Sequence, residues 1–271
     1  MGSSLKEIQS VELELLRECR RICDKYQIPY YLAQGTLLGA VRHSGFVPWD
    51  DDADLLMRAE DIERFAEAFR QEAPEGFTFE RFQENPSVPY MWPKLRKKGT
   101  ASMPRRYQAI PLNWEICIDL FPYYDVADGR LAHFEARLRF LIAKRMLGVT
   151  MTFFEDKVKL SSRIVRLLPV ELRAAIARRM LDGLKKKQKQ GEDVLVFCRG
   201  GQFVKRAFLE GPRKELSFEG ELFCVPADSD AYLTAMFGDY HRLPPMEERI
   251  GHESRMGDII WDTENSYQSY L

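Results

Sequence analysis

Between Trp49 and Asp54 the chain reads Trp49-Asp50-Asp51-Asp52-Ala53-Asp54, four carboxylates within five residues. Like charges packed so closely repel, and a folded chain keeps such a run ordered only where something positive sits among them. Trp49 precedes the run and Leu55-Leu56-Met57 follows it, so the carboxylates stand at the entrance to a buried segment, not in a solvated turn. An extended reading of 49–57 puts alternate side chains on opposite faces, with Asp50, Asp52 and Asp54 on one and Asp51 on the other. Oxygen ligands sharing a strand face suit a hard cation such as Mg²⁺, which takes a few carboxylates together with substrate phosphates. We read a metal site.

Helical and extended patterns alternate around this run. Leu5, Ile8, Leu15, Leu16, Cys19, Ile22 and Cys23 recur at helical spacing over 5–26, and the helix closes before Pro29. Tyr30-Tyr31-Leu32-Ala33 is a short β-prone run. From Thr36 to His43 the pattern is helical again, with Thr36 as N-cap and Ser44-Gly45 as the break. A helix over 60–72 follows, then strands at 77–82, 90–96 and 115–120, with Pro93 marking an edge or bulge in the second. In the third, Ile116, Ile118 and Leu120 face the core, while Glu115, Cys117 and Asp119 face the other side. This order implies an α/β (α+β) fold with a mixed-sheet core, not a helix bundle.

The texture changes after Gly129, where 131–147 and 161–189 read as helices rich in Lys and Arg. A net charge of −1 hides the change: residues 130–190 carry 16 basic residues against 5 acidic ones, which leaves the remainder acidic. In the second helix Ile164, Leu168, Leu172, Ile176, Met180 and Leu184 form a stripe interrupted by Pro169. Arg166, Arg173, Arg178 and Lys185, Lys186 and Lys187 oppose it. Such segregation suits peripheral contact with an anionic membrane, and a core-packed helix with solvated cations explains it equally well. Nucleic acid is not an expected partner, because the basic segment lacks interleaved aromatic platforms. Strands return at 194–197, 214–218 and 222–225, and a last helix, about 229–237, ends at Gly238. The expected organisation is one domain over 1–271. It has a core at 1–128, a basic helical insertion at 129–190 and a C-terminal segment at 191–271 returning to the core.

No apolar stretch approaches the roughly 20 residues needed to span a bilayer. The N-terminal residues lack a secretory pattern, and five cysteines without a Cys-x-x-Cys pair form no disulfide framework or zinc knuckle. Cytoplasm, with access to the inner face of the membrane, is the expected location.

Three elements fit together as a phosphoryl-transfer site. A helix start at Gly35-Thr36 offers unpaired N–H groups to a phosphate, and glycine permits close approach. Asp52 and Asp54 hold Mg²⁺ against the same phosphates, and Asp119, on a second strand, supplies a third carboxylate. A cation so placed neutralises developing charge, and a carboxylate can take the acceptor proton. Asp50 with Asp52 satisfies the same Asp-x-Asp spacing; Asp52 with Asp54 is preferred because Ala53 and Leu55 interleave with them. Arg42, Lys94 and Arg96 are suited to neutralise a pyrophosphate, and His43 to hydrogen-bond a phosphate or support Asp52.

The run from Gly35 to Asp54, Gly-Thr-Leu-Leu-Gly-Ala-Val-Arg-His-Ser-Gly-Phe-Val-Pro-Trp-Asp-Asp-Asp-Ala-Asp, resembles the signature of the LicD family, bacterial phosphocholine transferases related to fukutin. Lys94-Leu95-Arg96, Ile118-Asp119-Leu120-Phe121-Pro122 and the stretch from Tyr232 to Tyr240 with Leu243-Pro244-Pro245 extend the likeness over roughly 1–125 and 214–252. The resemblance implies a nucleotidyltransferase-like core in which Gly35, Thr36, Asp52, Asp54 and Asp119 are the site. It also implies Mg²⁺ (or Mn²⁺) dependence and transfer of phosphocholine from CDP-choline to a hydroxyl of a cell-surface glycan such as lipopolysaccharide or teichoic acid, or its lipid-linked precursor. Arg249 and His252 are expected to close the site on family pattern alone. Competing readings are another CDP-alcohol donor (ribitol, glycerol or ethanolamine), nucleotidyl transfer, and an idle nucleotide- or glycan-binding protein.

Overall fold

The computed structural model describes residues 3–149, 160–186, 191–198, 200–251 and 257–271. In chain order its elements are α1 (Leu5–Tyr26), β1 (Tyr31–Leu32), α2 (Gln34–His43), β2 (Asp54–Arg58), α3 (Ala59–Glu72), β3 (Phe77–Glu80) and β4 (Lys94–Lys97). Then come β5 (Ala101–Pro104), β6 (Cys117–Asp125), α4 (Arg130–Gly148), α5 (Leu160–Arg166), α6 (Val170–Lys186), β7 (Asp193–Val196) and β8 (Gln202–Lys205). The last are α7 (Arg206–Leu209), β9 (Lys214–Phe218), β10 (Glu221–Val225), α8 (Ser229–Phe237) and β11 (Ile259–Asp262). Helices and strands intermingle in an α+β fold. Among the described residues no helix is long and apolar enough to cross a membrane.

The chain divides into two compact units. The first comprises Met1–Phe79, Lys94–Leu120 and Ala207–Leu271; the second comprises Glu80–Pro93 and Phe121–Arg206. The first therefore draws on three stretches of chain, and the second begins ahead of the basic segment, with 80–93.

In the first unit the strand order is β1-β2-β6-β4-β3. Antiparallel registers place Tyr31 opposite Leu56 and Lys94 opposite Asp119, with Leu95 opposite Ile118 and Arg96 opposite Cys117. Helix α1 starts at a reciprocal cap, Ser4 with Glu7, and buries Ile8, Leu15, Leu16, Cys19, Ile22 and Cys23. Each large apolar side chain so buried contributes roughly 1.5–3 kcal/mol. The cysteines are free thiols, and Cys19 and Cys23 are buried helix positions. β9 and β10 form a hairpin whose turn, Glu219-Gly220, has φ of 51° and 80°, the paired positive values that a tight two-residue hairpin turn needs.

The acidic run departs from the extended path expected over 49–57. The Asp50 N–H donates to the Val47 carbonyl at 2.9 Å, closing a β-turn with Pro48 at its second position, where a fixed φ favours turning. Residues 50–53 leave this turn irregularly and β2 begins only at Asp54. Strict alternation therefore holds from Asp54 onward and not across Asp50 to Asp52. Pro93 likewise ends the irregular stretch ahead of β4, because it has no N–H to donate to a ladder.

In the second unit the distal half of β6 pairs with β7, and β7 with β8. Helix α4 packs on α6, with Ala136, Ala143 and Leu147 of the one and Ala174, Ala177, Leu181 and Leu184 of the other buried, while buried Phe140 meets the Phe197 ring at 4.8 Å. Alanines alternating with larger residues let the two axes approach closely. The expected helix over 161–189 is two helices, because Pro169 breaks it. The expected stripe breaks with it: Ile164 and Leu172 are exposed, and Leu184 is buried. Lys187 lies outside the described residues.

Candidate active site

Helix α2, the acidic run, Lys94 and Asp119 all belong to the first unit. Helix α2 is gripped at both ends by the C-terminal part of the chain. At its start Gln34 Nε2 donates to the Tyr232 hydroxyl of α8 at 3.0 Å. At its end Arg42 Nη1 donates to the Tyr240 carbonyl at 2.8 Å. Gln34 is buried and has a φ of +45°, a left-handed conformation that costs a non-glycine residue about 1–3 kcal/mol and persists only where surroundings impose it. The strain lies immediately before Gly35.

Gly35 is required by a carboxylate. A Cβ built there would lie 2.3 Å from Asp50 Oδ2, so only glycine admits the Asp50 side chain against the helix start. Thr36 is not the N-cap; that position is Ala33, which offers no side-chain cap. Thr36 is buried, and its Oγ1 accepts the Asp54 N–H at 2.8 Å, while the Ala33 N–H donates to the Asp54 carbonyl at 3.0 Å. These two bonds pin the first residue of β2 to the first turn of α2.

Three carboxylates, Asp50, Asp51 and Asp52, bring one oxygen each within 4.8 Å of the others. Asp51, assigned to the opposite face by alternation, thus joins its neighbours because the backbone here is irregular. It is buried, and a Cβ on Gly251 would meet its Oδ2 at 2.2 Å. A second glycine therefore makes room for a second carboxylate. Gln9, buried on α1, donates through Nε2 to the Asp50 carbonyl at 2.8 Å.

Asp54 is buried, and its carboxyl is pushed well above the usual carboxylate range. Burial is the main cause, followed by the charges of Asp52, Asp119 and Asp50, with Lys94 opposing them. Asp119 stands on β6, its N–H donating to the Ala53 carbonyl at 2.9 Å. Lys94 Nζ reaches Asp119 Oδ1 at 2.5 Å across the β4–β6 register and lies 3.5 Å from Cys117 Sγ. The structure brings Asp50, Asp52, Asp54, Asp119 and Lys94 into mutual electrostatic reach. An all-carboxylate donor set, with two glycines cleared for its side chains, fits a hard divalent cation.

The other sequence-selected residues make contacts of their own. Arg42 and His43 end α2, about 10 Å along its axis from Gly35 at 1.5 Å per residue. Burial, then the Arg249 charge, lowers the Arg42 pKa; burial, then Arg42, lowers that of His43, which is neutral at pH 7. Arg249 lies 5.3 Å from the Trp49 ring centre and donates to the Pro244 carbonyl, so a guanidinium already covers one face of that indole. Arg96 is buried, with Nη1 on the Glu115 carbonyl at 2.7 Å. His252 lies outside the described residues. Sequence reasoning passed over Gln9, Gln34, Asp51 and Gly251. Gln9 carried a signal: it and Glu12 are polar residues among the buried positions of α1.

Carboxylates gathered against a glycine-led helix start, on a mixed α/β framework, are suited to holding a divalent cation beside a phosphate. Residues 27–147 match the family described as LicD/FKTN/FKRP, nucleotidyltransferase domain. The chain is 27% identical over 280 residues to the lipopolysaccharide cholinephosphotransferase LicD of Haemophilus influenzae, covering 95% of this chain and 98% of that one. It is 37% identical over 81 residues to the human ribitol 5-phosphate transferase FKRP, covering 27% of this chain and 16% of that one. An uncharacterised protein of Rickettsia typhi is 40% identical over 58 residues, 21% of this chain and 19% of that one.

Proposed function

We propose that this enzyme transfers phosphocholine from CDP-choline to a hydroxyl of a cell-surface glycan or its lipid-linked precursor, releasing CMP. The observation that carries the reading is the carboxylate cluster within a chain that aligns almost end to end with a cholinephosphotransferase acting on lipopolysaccharide. Asp52, Asp54 and Asp119 are the residues that would hold Mg²⁺ or Mn²⁺, with Asp50 beside them against Gly35. A bound divalent cation supplies neutralisation of the charge that develops on the transferring phosphoryl group. Gly35 presents the helix start to the donor phosphates. Lys94 orients Asp119 through their ion pair, and Asp119 takes the acceptor proton. Gln9 and Thr36 fix the backbone on which Asp50 and Asp54 stand, and Arg42 with His43 lies farther along α2 toward the remainder of the donor.

A second donor, a CDP-linked ribitol, is favoured by the match to a ribitol 5-phosphate transferase over 81 residues. Incubation with CDP-choline, CDP-ethanolamine, CDP-ribitol and CDP-glycerol, each with Mg²⁺, Mn²⁺ or EDTA and a sugar acceptor, separates these readings. Metal-dependent CMP release greatest with CDP-choline is expected. Greater release with CDP-ribitol transfers the assignment to the second donor. Pyrophosphate release from CTP without CMP release from any CDP-alcohol overturns both in favour of nucleotidyl transfer.

A further inference from the structure

We propose that the outward face of α4 is a docking surface for an anionic lipid bilayer. The helix is apolar on two sides. Ala136, Phe140, Ala143 and Leu147 face inward, whereas Leu131, Phe134, Leu138 and Leu141 are 80%, 65%, 45% and 47% exposed. At about 100° per residue these four share one sector of roughly 80°, opposite the buried face. Arg130, Arg137 and Lys144, seven residues apart and exposed, run in a row along one margin of that sector. Arg137 keeps one anchoring bond, to the Gly201 carbonyl at 3.3 Å. Glu135, the only acidic residue of α4, is tied to Arg139 at 2.8 Å. Helix α5, bonded to α4 through Arg145 and Ser162, adds exposed Ile164 and Leu167 next to Arg163 and Arg166.

A contiguous exposed stripe of this size needs a cover, and the charge beside it selects one. Two copies of the chain meeting face to face would bring rows of like charge together. A bilayer with anionic headgroups satisfies both features, taking the apolar side chains at the acyl boundary and the cations among the phosphates. The surface is distinct from α6, which spends its apolar side on α4. It stands independently of the catalytic reading.

Flotation of the full chain with neutral phosphatidylcholine vesicles, and with vesicles containing one third phosphatidylglycerol, at low and high salt tests the proposal. Binding to the anionic vesicles at low salt is expected, with at least tenfold less on neutral vesicles. Arg130→Gln, Arg137→Gln and Lys144→Gln together weaken it roughly a hundredfold, at about a factor of five per basic residue. Leu138→Ser with Leu141→Ser, both exposed, abolish it while leaving the melting temperature unchanged. Phe134→Trp then shows blue-shifted emission quenched by brominated lipid. Absence of binding to anionic vesicles at low salt overturns the proposal. So does a concentration-dependent dimer that the two serine substitutions dissociate, which would make this face a contact between copies of the chain.

Discussion

In the first unit carboxylates are packed against glycine backbone, Asp50 on Gly35 and Asp51 on Gly251, and Asp51 and Asp54 are buried. In the second unit Arg130, Arg137, Lys144, Arg163, Arg178 and Arg179 stay at the surface, spread along helix faces, while α4 and α6 pack on each other with buried alanines and leucines. An exposed charge costs little and contributes little. A buried one is expensive and must be compensated. Carboxylates gathered at two glycines therefore mark where a hard cation fits, and dispersed exposed cations mark a surface that suits anions.

The largest effect that would break this contrast is on turnover. Asp52→Asn and Asp54→Asn each lower transfer by roughly a thousandfold or more, the scale of several kcal/mol of metal-derived charge stabilisation. Measured at saturating Mg²⁺, a variant with near-normal turnover would show that the carboxylate it lost is structural, and the contrast between the units would fail there.

A paired glycine substitution sharpens the comparison. Gly35→Ala forces a Cβ to 2.3 Å from Asp50 Oδ2; moving a carboxylate by about 1 Å in such a site costs on the order of a hundredfold in rate. Gly148→Ala, at the end of α4, meets nothing within 4 Å, so it adds up to about 1 kcal/mol of stability and leaves turnover unchanged. Equal loss of activity in both variants would indicate a general loss of folded protein and not a site effect; melting curves separate the two.

Much of the first unit was legible from residues alone. An apolar period closing before Pro29 gave α1 to the residue, and the alternation at 116–120 put Asp119 on the face opposite Ile118. What escaped was set by contacts distant in sequence. β5 and β11 are four residues each, and Ala101 finds its partner in Asp262; neither segment alternates enough to announce a strand. The Pro48 turn redirected Asp50 to Asp52, so a period-two argument that holds from Asp54 left Asp51 out of the group it joins. In the second unit the periodicity of α4 gave a helix but not its orientation, because the helix has two apolar sides and only packing shows which is covered.

The smallest effects concern stability, and they test burial against exposure directly. The Asp54 carboxyl has a folded-state pKa raised by burial and by Asp52, Asp119 and Asp50. Between the unfolded pKa, about 3.9, and that raised value the native state holds a proton that the unfolded state has lost. Stability from this group is therefore fully present below about pH 3.9 and is lost as pH rises through the folded pKa. Asp54→Asn removes the ionisation with little change of shape, so the metal-free protein melts higher at neutral pH, by roughly 2–4 °C for each kcal/mol relieved, and the gain vanishes in acid. Glu135→Gln in the second unit removes only a partly exposed i,i+4 partner of Arg139. It lowers stability by about 0.3–0.5 kcal/mol. Melting both variants without metal across pH 4 to 8 reads the two together. A destabilised Asp54→Asn at pH 7 would mean that its carboxylate is already compensated inside the protein, leaving a cation nothing to relieve.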